Sequence, residues 1–138
     1  MGAFHYAFPI TDIAAARHFY VGILGCGEGR STDHWIDFDL FGHQLSAHLG
    51  TPPGAACMGL VDGKQVPIPH FGAVLAPDEF WVFAERLRQA GVSFIIEPGL
   101  RFVGKPGEQA TMFFLDPDGN ALEFKAFTRA DEVFAKQA

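Results

Sequence analysis

The sequence predicts an α+β domain built from two βαβββ modules, about residues 3–50 and 68–127. Three observations predict it. A strand, a helix and then further strands occur twice in the same order. The copies keep register: His5 and His70 stand 65 residues apart, and the helix-ending pairs Leu24-Gly25 and Ala90-Gly91 stand 66 apart. Each copy also opens on a histidine beside an aromatic, FHY at residues 4–6 and PHF at 69–71. Two copies are too few for a solenoid. Paired sheets that close on each other are expected instead.

In the first module HYAFPI is a short β-prone run, and Asp12 is a good N-cap for IAAARHFYVGIL. Ile13, Ala16, Tyr20 and Ile23/Leu24 recur at helical spacing, and Gly25 can stop the helix. The stretch GEGRSTD reads as turn, HWIDFDLF and HQLSAHL as alternating strands around Phe41-Gly42. Residues 51–67 read as a linker. In the second module HFGAVL reads as a strand and Pro77 sits in the first turn of a helix running to about Ala90. Phe80, Phe83/Ala84 and Leu87 form its apolar stripe. VSFIIEP, ATMFFLD and ALEFKAF supply three strands, with a turn-rich insertion at 98–109 and a tail at 128–138.

Bulk properties narrow the partners. The 138 residues suffice for one compact domain with a real core, and 49% are hydrophobic, including fifteen phenylalanines. A net charge of -6 with no basic cluster argues against nucleic acid. Cys26 and Cys57 lie far apart without a C-x-x-C spacing, so a reducing compartment is the simpler expectation. Neither a signal-type segment nor a membrane span is read, and a cytoplasmic protein is expected. No phosphate-binding G-x-x-x-x-G-K-[ST], no G-x-S-x-G elbow and no cysteine–histidine signature is present.

The informative residue is Glu123, set between leucine and phenylalanine in ALEFKAF. A buried carboxylate costs several kcal/mol unless something cationic receives it. Strand alternation turns Glu123 away from Leu122 and Phe124, His5 away from Phe4 and Tyr6, and His70 away from Phe71. Two imidazoles and a carboxylate on the inward side would make a divalent-metal site with open positions. Taken singly, each histidine reads more readily as a hydrogen-bonded core residue than as a ligand; the matching places in two copies, with an acid on a third strand, favour the site.

The stretches FHYAFPITDIAAARHFYVGILG, PHFGAVLAPDEFWVFAERLRQAGV and MFFLDPDGNALEFKAF, with DFDLFGHQLSAHL, cover almost all of residues 4–127. They resemble the vicinal oxygen chelate superfamily, which groups glyoxalases, bleomycin resistance proteins and extradiol dioxygenases. That resemblance implies a cupped, partly open mixed β-barrel with flanking helices around a divalent metal, His5, His70 and Glu123 at the ligand positions, and a homodimer. It also exposes a departure. The first-module place matching Glu123 is Ser46, a poor ligand, and His48 or Gln44 is the nearest substitute. Three ligands suit Fe or Mn and an extradiol-type dioxygenase; four suit Zn, Ni or Co and lyase or isomerase chemistry. His48 is the candidate acid/base, and Arg101 and Trp35 are candidate contacts for a small oxygen-chelating substrate. His18, His34 and His43 read as structural or exposed, and Lys125 as a rim residue that pairs with an acid. The competing function is a metal-free module that sequesters a small molecule or antibiotic, as bleomycin resistance proteins do.

Overall fold

The computed structural model describes residues 2–52 and 57–136. Backbone contacts divide the chain into two compact units, residues 1–55 with 116–120, and residues 56–115 with 121–138. Among the described residues the sheets are four-, two- and three-stranded and open. Among the described residues no helix is long and apolar enough to cross a membrane.

Unit one holds β1 (His5–Ile10), α1 (Ile13–Arg17), β2 (Gly27–Ser31), β3 (Trp35–Leu40) and β4 (His43–Leu49). The sheet order is β1-β4-β3-β2, with β1 parallel to β4 and the other pairs antiparallel. Asp12 caps α1 through its carboxylate, which accepts from the Ala15 N–H at 3.0 Å. The helix continues as a π-helical stretch, His18–Ile23, and ends at Gly25, whose φ of 80° suits glycine. Its inner side buries Ala16, Phe19, Tyr20 and Leu24, and the Tyr20 ring lies 5.5 Å from Phe8 and 4.9 Å from Phe38. Each large apolar side chain so buried contributes about 1.5–3 kcal/mol. The segment expected as turn, GEGRSTD, instead supplies β2. Its residues are exposed and glycine-rich, so they carry no alternation to announce a strand, and pairing with β3 makes them one.

The DPDGN turn belongs to this unit. Asp116 Oδ1 accepts from the N–H groups of Asp118 (2.9 Å) and Asn120 (2.8 Å), while Oδ2 accepts from Tyr20 Oη and Asn120 Nδ2, both at 2.8 Å. Asp118 accepts from the Thr11 N–H, and Asn120 Nδ2 also donates to the Pro9 carbonyl. Burial pushes the Asp116 carboxyl up despite these donors, and burial followed by the Asp116 charge pushes the Tyr20 phenol well up.

Unit two contains β5 (Cys57–Val61), β6 (Lys64–Ile68), α2 (Pro77–Gln89), β7 (Phe94–Arg101), β8 (Gln109–Leu115) and β9 (Ala121–Phe127). β5 and β6 form an antiparallel hairpin where a linker was expected; residues 53–56 of that linker lie outside the described residues. α2 begins as its sequence predicts, with Pro77 in the first turn and Glu79 reaching back to the Ala76 N–H at 3.2 Å. Phe80, Phe83, Ala84 and Leu87 are its buried stripe, and Phe83 meets Phe124 edge-on at 4.9 Å.

The expected strand HFGAVL is reduced to two isolated parallel bridges to β9, Phe71 with Leu122 and Val74 with Lys125. Its hydrogen bonds are nonetheless continuous: Glu123 N–H to Phe71 O at 2.8 Å, Lys125 N–H to Ala73 O at 3.2 Å, Leu75 N–H to Lys125 O at 2.7 Å. Gly72 makes this possible, because a Cβ there would lie 1.6 Å from the Glu123 carbonyl oxygen. Further on, β7 runs through Pro98 and Gly99 with shifted register as far as Arg101, so only residues 102–108 remain of the expected insertion.

Gly72→Ala is expected to force the 71–75 segment off β9 and cost about 3 kcal/mol or more. Urea melts check this, and a loss below about 1 kcal/mol would mean the approach is not tight. Tyr20→Phe is expected to cost about 1–2 kcal/mol by removing one buried donor, and Asp116→Ala clearly more, because it strands several donors at once.

Candidate functional site

Strand pairing gathers the polar residues of each unit on one sheet face. In unit two, β8–β9 register sets Phe113 opposite Glu123 and Thr111 opposite Lys125. The Glu123 side chain is 12% exposed, so its charge is largely withdrawn from water. Three groups receive it. Thr111 Oγ1 donates to Oε2 at 2.5 Å, Lys125 Nζ lies 3.6 Å from Oε1, and His70 Nε2 lies 3.3 Å from Oε1. Burial alone would raise the Glu123 carboxyl, but His70, Thr111 and Lys125 outweigh it and leave it lowered. The interaction with Glu123 in turn raises His70, against an opposing effect of burial.

The His70 ring has one available tautomer. Its Nδ1 stands 2.7 Å from the Pro67 carbonyl, which can only accept, so Nδ1 carries a proton. In the neutral ring Nε2 is then a lone pair facing a carboxylate oxygen. Two acceptors at that separation need a positive centre between or beside them, either a proton on Nε2 or a bound cation. Phe113 packs edge-on against the ring at 4.9 Å and fixes its plane.

Unit one builds a comparable anchor without a charge at the matching place. Ser46, opposite Asp37 on β3, donates to Asp37 Oδ1 at 2.7 Å. Gln44 Nε2 donates to Asp37 Oδ2 at 3.3 Å, which orients the amide so that its Oε1 meets His5 Nδ1 at 2.8 Å. His5 therefore donates from Nδ1, as His70 does. A carboxylate or carbonyl holding the far ring nitrogen is the usual support of a metal-ligating histidine. Both histidines and Glu123 thus have the donor chemistry of divalent-metal ligands. Among the described residues, however, no group of three or more His, Cys, Asp or Glu side chains is gathered into a ready-made cluster. Each unit assembles its own part: His70 with Glu123 in one, His5 on its Gln44–Asp37 relay in the other.

His48 lies opposite Trp35 on the face that carries Ser46, exposed, with ring centroids 6.3 Å apart; Arg30 stands 5.7 Å over the Trp35 ring. His43 Nδ1 accepts from the Phe4 N–H, and His18 and His34 are exposed, as expected. Lys125 pairs with an acid as expected. Arg101 is buried, at 6% exposure, on β7 rather than in a solvated loop. It lines a cavity of about 240 Å³ together with His70, Glu123, Lys125, Thr111 and Phe113. Asp37 and Thr111 are the site residues that sequence reading missed. Asp37 was within reach of it: in WIDFDL it alternates against buried Ile36 and Phe38 as Glu123 does against its neighbours. Nothing local in ATMFFLD marks Thr111.

Comparison with known proteins agrees with this architecture. Residues 2–124 match the Glyoxalase/Bleomycin resistance protein/Dioxygenase superfamily, and the chain belongs to it. A glyoxalase/bleomycin resistance protein/dioxygenase from Alicyclobacillus acidocaldarius is similar in structure with a TM-score of 0.81 and 30% identity, covering 96% of each chain. The fosfomycin resistance protein FosX from Listeria monocytogenes superposes with a TM-score of 0.70 at 19% identity, covering 96% of this chain and 98% of its own. A virulence protein from Salmonella typhimurium gives 0.64 at 20% identity, covering 93% and 98%. The last two share the fold.

The paired shifts give a pH dependence for chelator-treated protein. His70 is raised, so its stabilising charge is complete below its ordinary value of 6.5 and is lost as pH rises through the folded value. Glu123 is lowered, so its contribution is complete above its ordinary value of 4.5 and is lost as pH falls through the folded value. The stability advantage of the wild type over His70→Ala is therefore expected to be largest between those two values and to shrink on either side. Urea melts across pH read it; an advantage independent of pH would rule out the charged pair.

Proposed function

We propose that the protein is a divalent-metal-dependent enzyme acting on a small metabolite that chelates through adjacent oxygens, with His5, His70 and Glu123 as the metal ligands. The observation that carries this reading is the His70–Glu123 pair: an imidazole held at Nδ1 by Pro67 sets Nε2 3.3 Å from an oxygen of a desolvated carboxylate, so that a divalent cation replacing the Nε2 proton could be held by both. His5, held by Gln44, offers the same kind of nitrogen. The Gln44 oxygen is engaged by His5 and the Ser46 hydroxyl by Asp37, which favours three protein ligands and hence Fe or Mn with extradiol-type dioxygenation. Lyase or isomerase chemistry of the glyoxalase type is the second outcome within the class, favoured if His48 joins the ligand set. When bound, the metal would polarise the substrate oxygens as a Lewis acid.

The chain's own groups have separate tasks. Thr111 and Lys125 keep Glu123 ionised, Phe113 holds the His70 plane, and Arg101 contacts the substrate from the cavity wall. His48, exposed beside Trp35, moves the proton, and Trp35 supplies an apolar surface for the substrate. Metal-free sequestration, the competing function, has no use for two histidines anchored through Nδ1 or for a buried carboxylate.

Protein purified without chelators is expected to carry close to one divalent ion per chain by elemental analysis. His70→Ala and His5→Ala should each lower occupancy at least about tenfold while the far-ultraviolet circular dichroism stays unchanged. Wild-type protein that takes up no ion on reconstitution would favour sequestration, and loss confined to His70→Ala would remove His5 from the ligand set. Oxygen uptake with a panel of catechols separates dioxygenation from lyase chemistry.

A further inference from the structure

We infer that Arg101 is the anion-receiving end of the unit-two cavity, and that the substrate is a small carboxylate whose carboxyl group docks on its guanidinium. The inference deepens the proposed function, resting on it only in taking the docked anion as part of the substrate.

Arg101 ends β7 opposite Gln109 on β8 and is 6% exposed. A guanidinium carries five N–H donors and keeps its charge at any accessible pH. Here Nη1 donates to the Val61 carbonyl at 3.3 Å, and Nη2 is buried with no hydrogen-bond partner. Among the described residues no carboxylate lies within ion-pairing distance of Arg101, whereas Lys125 is already committed to Glu123. A buried cation without a counter-ion costs several kcal/mol, so its retention in the wall of a cavity needs a reason. A ligand anion supplies one. Arginine meets carboxylates through charge-assisted hydrogen bonds, and Nη1 keeps a second N–H beyond the one given to Val61.

The cavity sets the size of that ligand. Its volume of about 240 Å³ is smaller than the roughly 300–1,000 Å³ of cavities that hold drug-sized molecules. Val66, Phe102 and Phe113 give it apolar walls, and Gln109 and Thr111 add polar atoms. A short-chain acid fits this composition: carboxylate at Arg101, a few carbons against the apolar walls, and further oxygens towards the His70–Glu123 side.

Calorimetric titration of chelator-treated full-length protein with lactate, oxalate, their neutral amides lactamide and oxamide, and inorganic phosphate tests the inference. Removing the metal separates it from the metal reading, because carboxylate binding at Arg101 should survive without the ion. The expected result is binding of a carboxylate at least about tenfold tighter than its amide, with that preference lost in Arg101→Met and reduced in Arg101→Lys. Arg101→Met should also melt no lower than the wild type in the absence of anion, since it removes an uncompensated buried charge; a large drop would assign Arg101 to holding Val61 and overturn the inference. Equal affinity for acid and amide, no binding by the wild type, or a preference for phosphate over the carboxylates would each overturn it as well. These wild-type measurements stand even if a variant does not fold.

Discussion

The Glu123 carboxylate is the constraint around which unit two is organised. It projects from a strand whose neighbours Leu122 and Phe124 are fully buried, so it cannot leave the interior without unpacking that strand. A charge so placed must be neutralised from the side chains around it. Thr111 and Lys125 reach it across β8 and along β9. His70 reaches it because the backbone after it lies unusually close to β9, with Gly72 packed against the Glu123 carbonyl. A backbone contact that excludes a single methyl group thereby sets an imidazole beside an acid.

Unit one solves a related problem with different groups. Its carboxylate, Asp37, sits one strand away from the place that matches Glu123, and its hydrogen bonds go to Ser46 and Gln44. Asp37 therefore orients rather than confronts a histidine: it fixes the Gln44 amide, and the amide fixes His5. The two units thus differ in their polar groups: one holds an acid–imidazole pair, the other a single positioned imidazole. Such outer support is what gives a ligand nitrogen its direction and basicity.

The cavity beside the Glu123 pair joins two electrostatic environments. On one side an anionic carboxylate has its cations in place; on the other a buried guanidinium has only a backbone carbonyl. Charges of opposite sign in the wall of one cavity favour ligands that carry the complementary pattern. The apolar walls discriminate size only coarsely, since methylene-sized differences change binding by only about 1–3 kcal/mol.

Much of this molecule follows from local sequence. The buried stripe of α2, the Asp12 cap, the strands β1, β3, β4, β8 and β9, and the turning of His5, His70 and Glu123 away from their apolar neighbours depend on periodicity and on a few special residues. These act over less than two turns or one strand, so the amino-acid order alone determines them. The tertiary structure decided what depends on pairing between distant segments. It made GEGRS a strand and residues 57–68 a hairpin, drew the DPDGN turn onto Tyr20 and Thr11, set Asp37 opposite Ser46 and Thr111 within reach of Glu123, and buried Arg101. Such partners are chosen by strand register and by burial, which arise only when remote parts of the chain compete for the same neighbours. The sequence could show which way a side chain points; only the folded chain shows what it meets there.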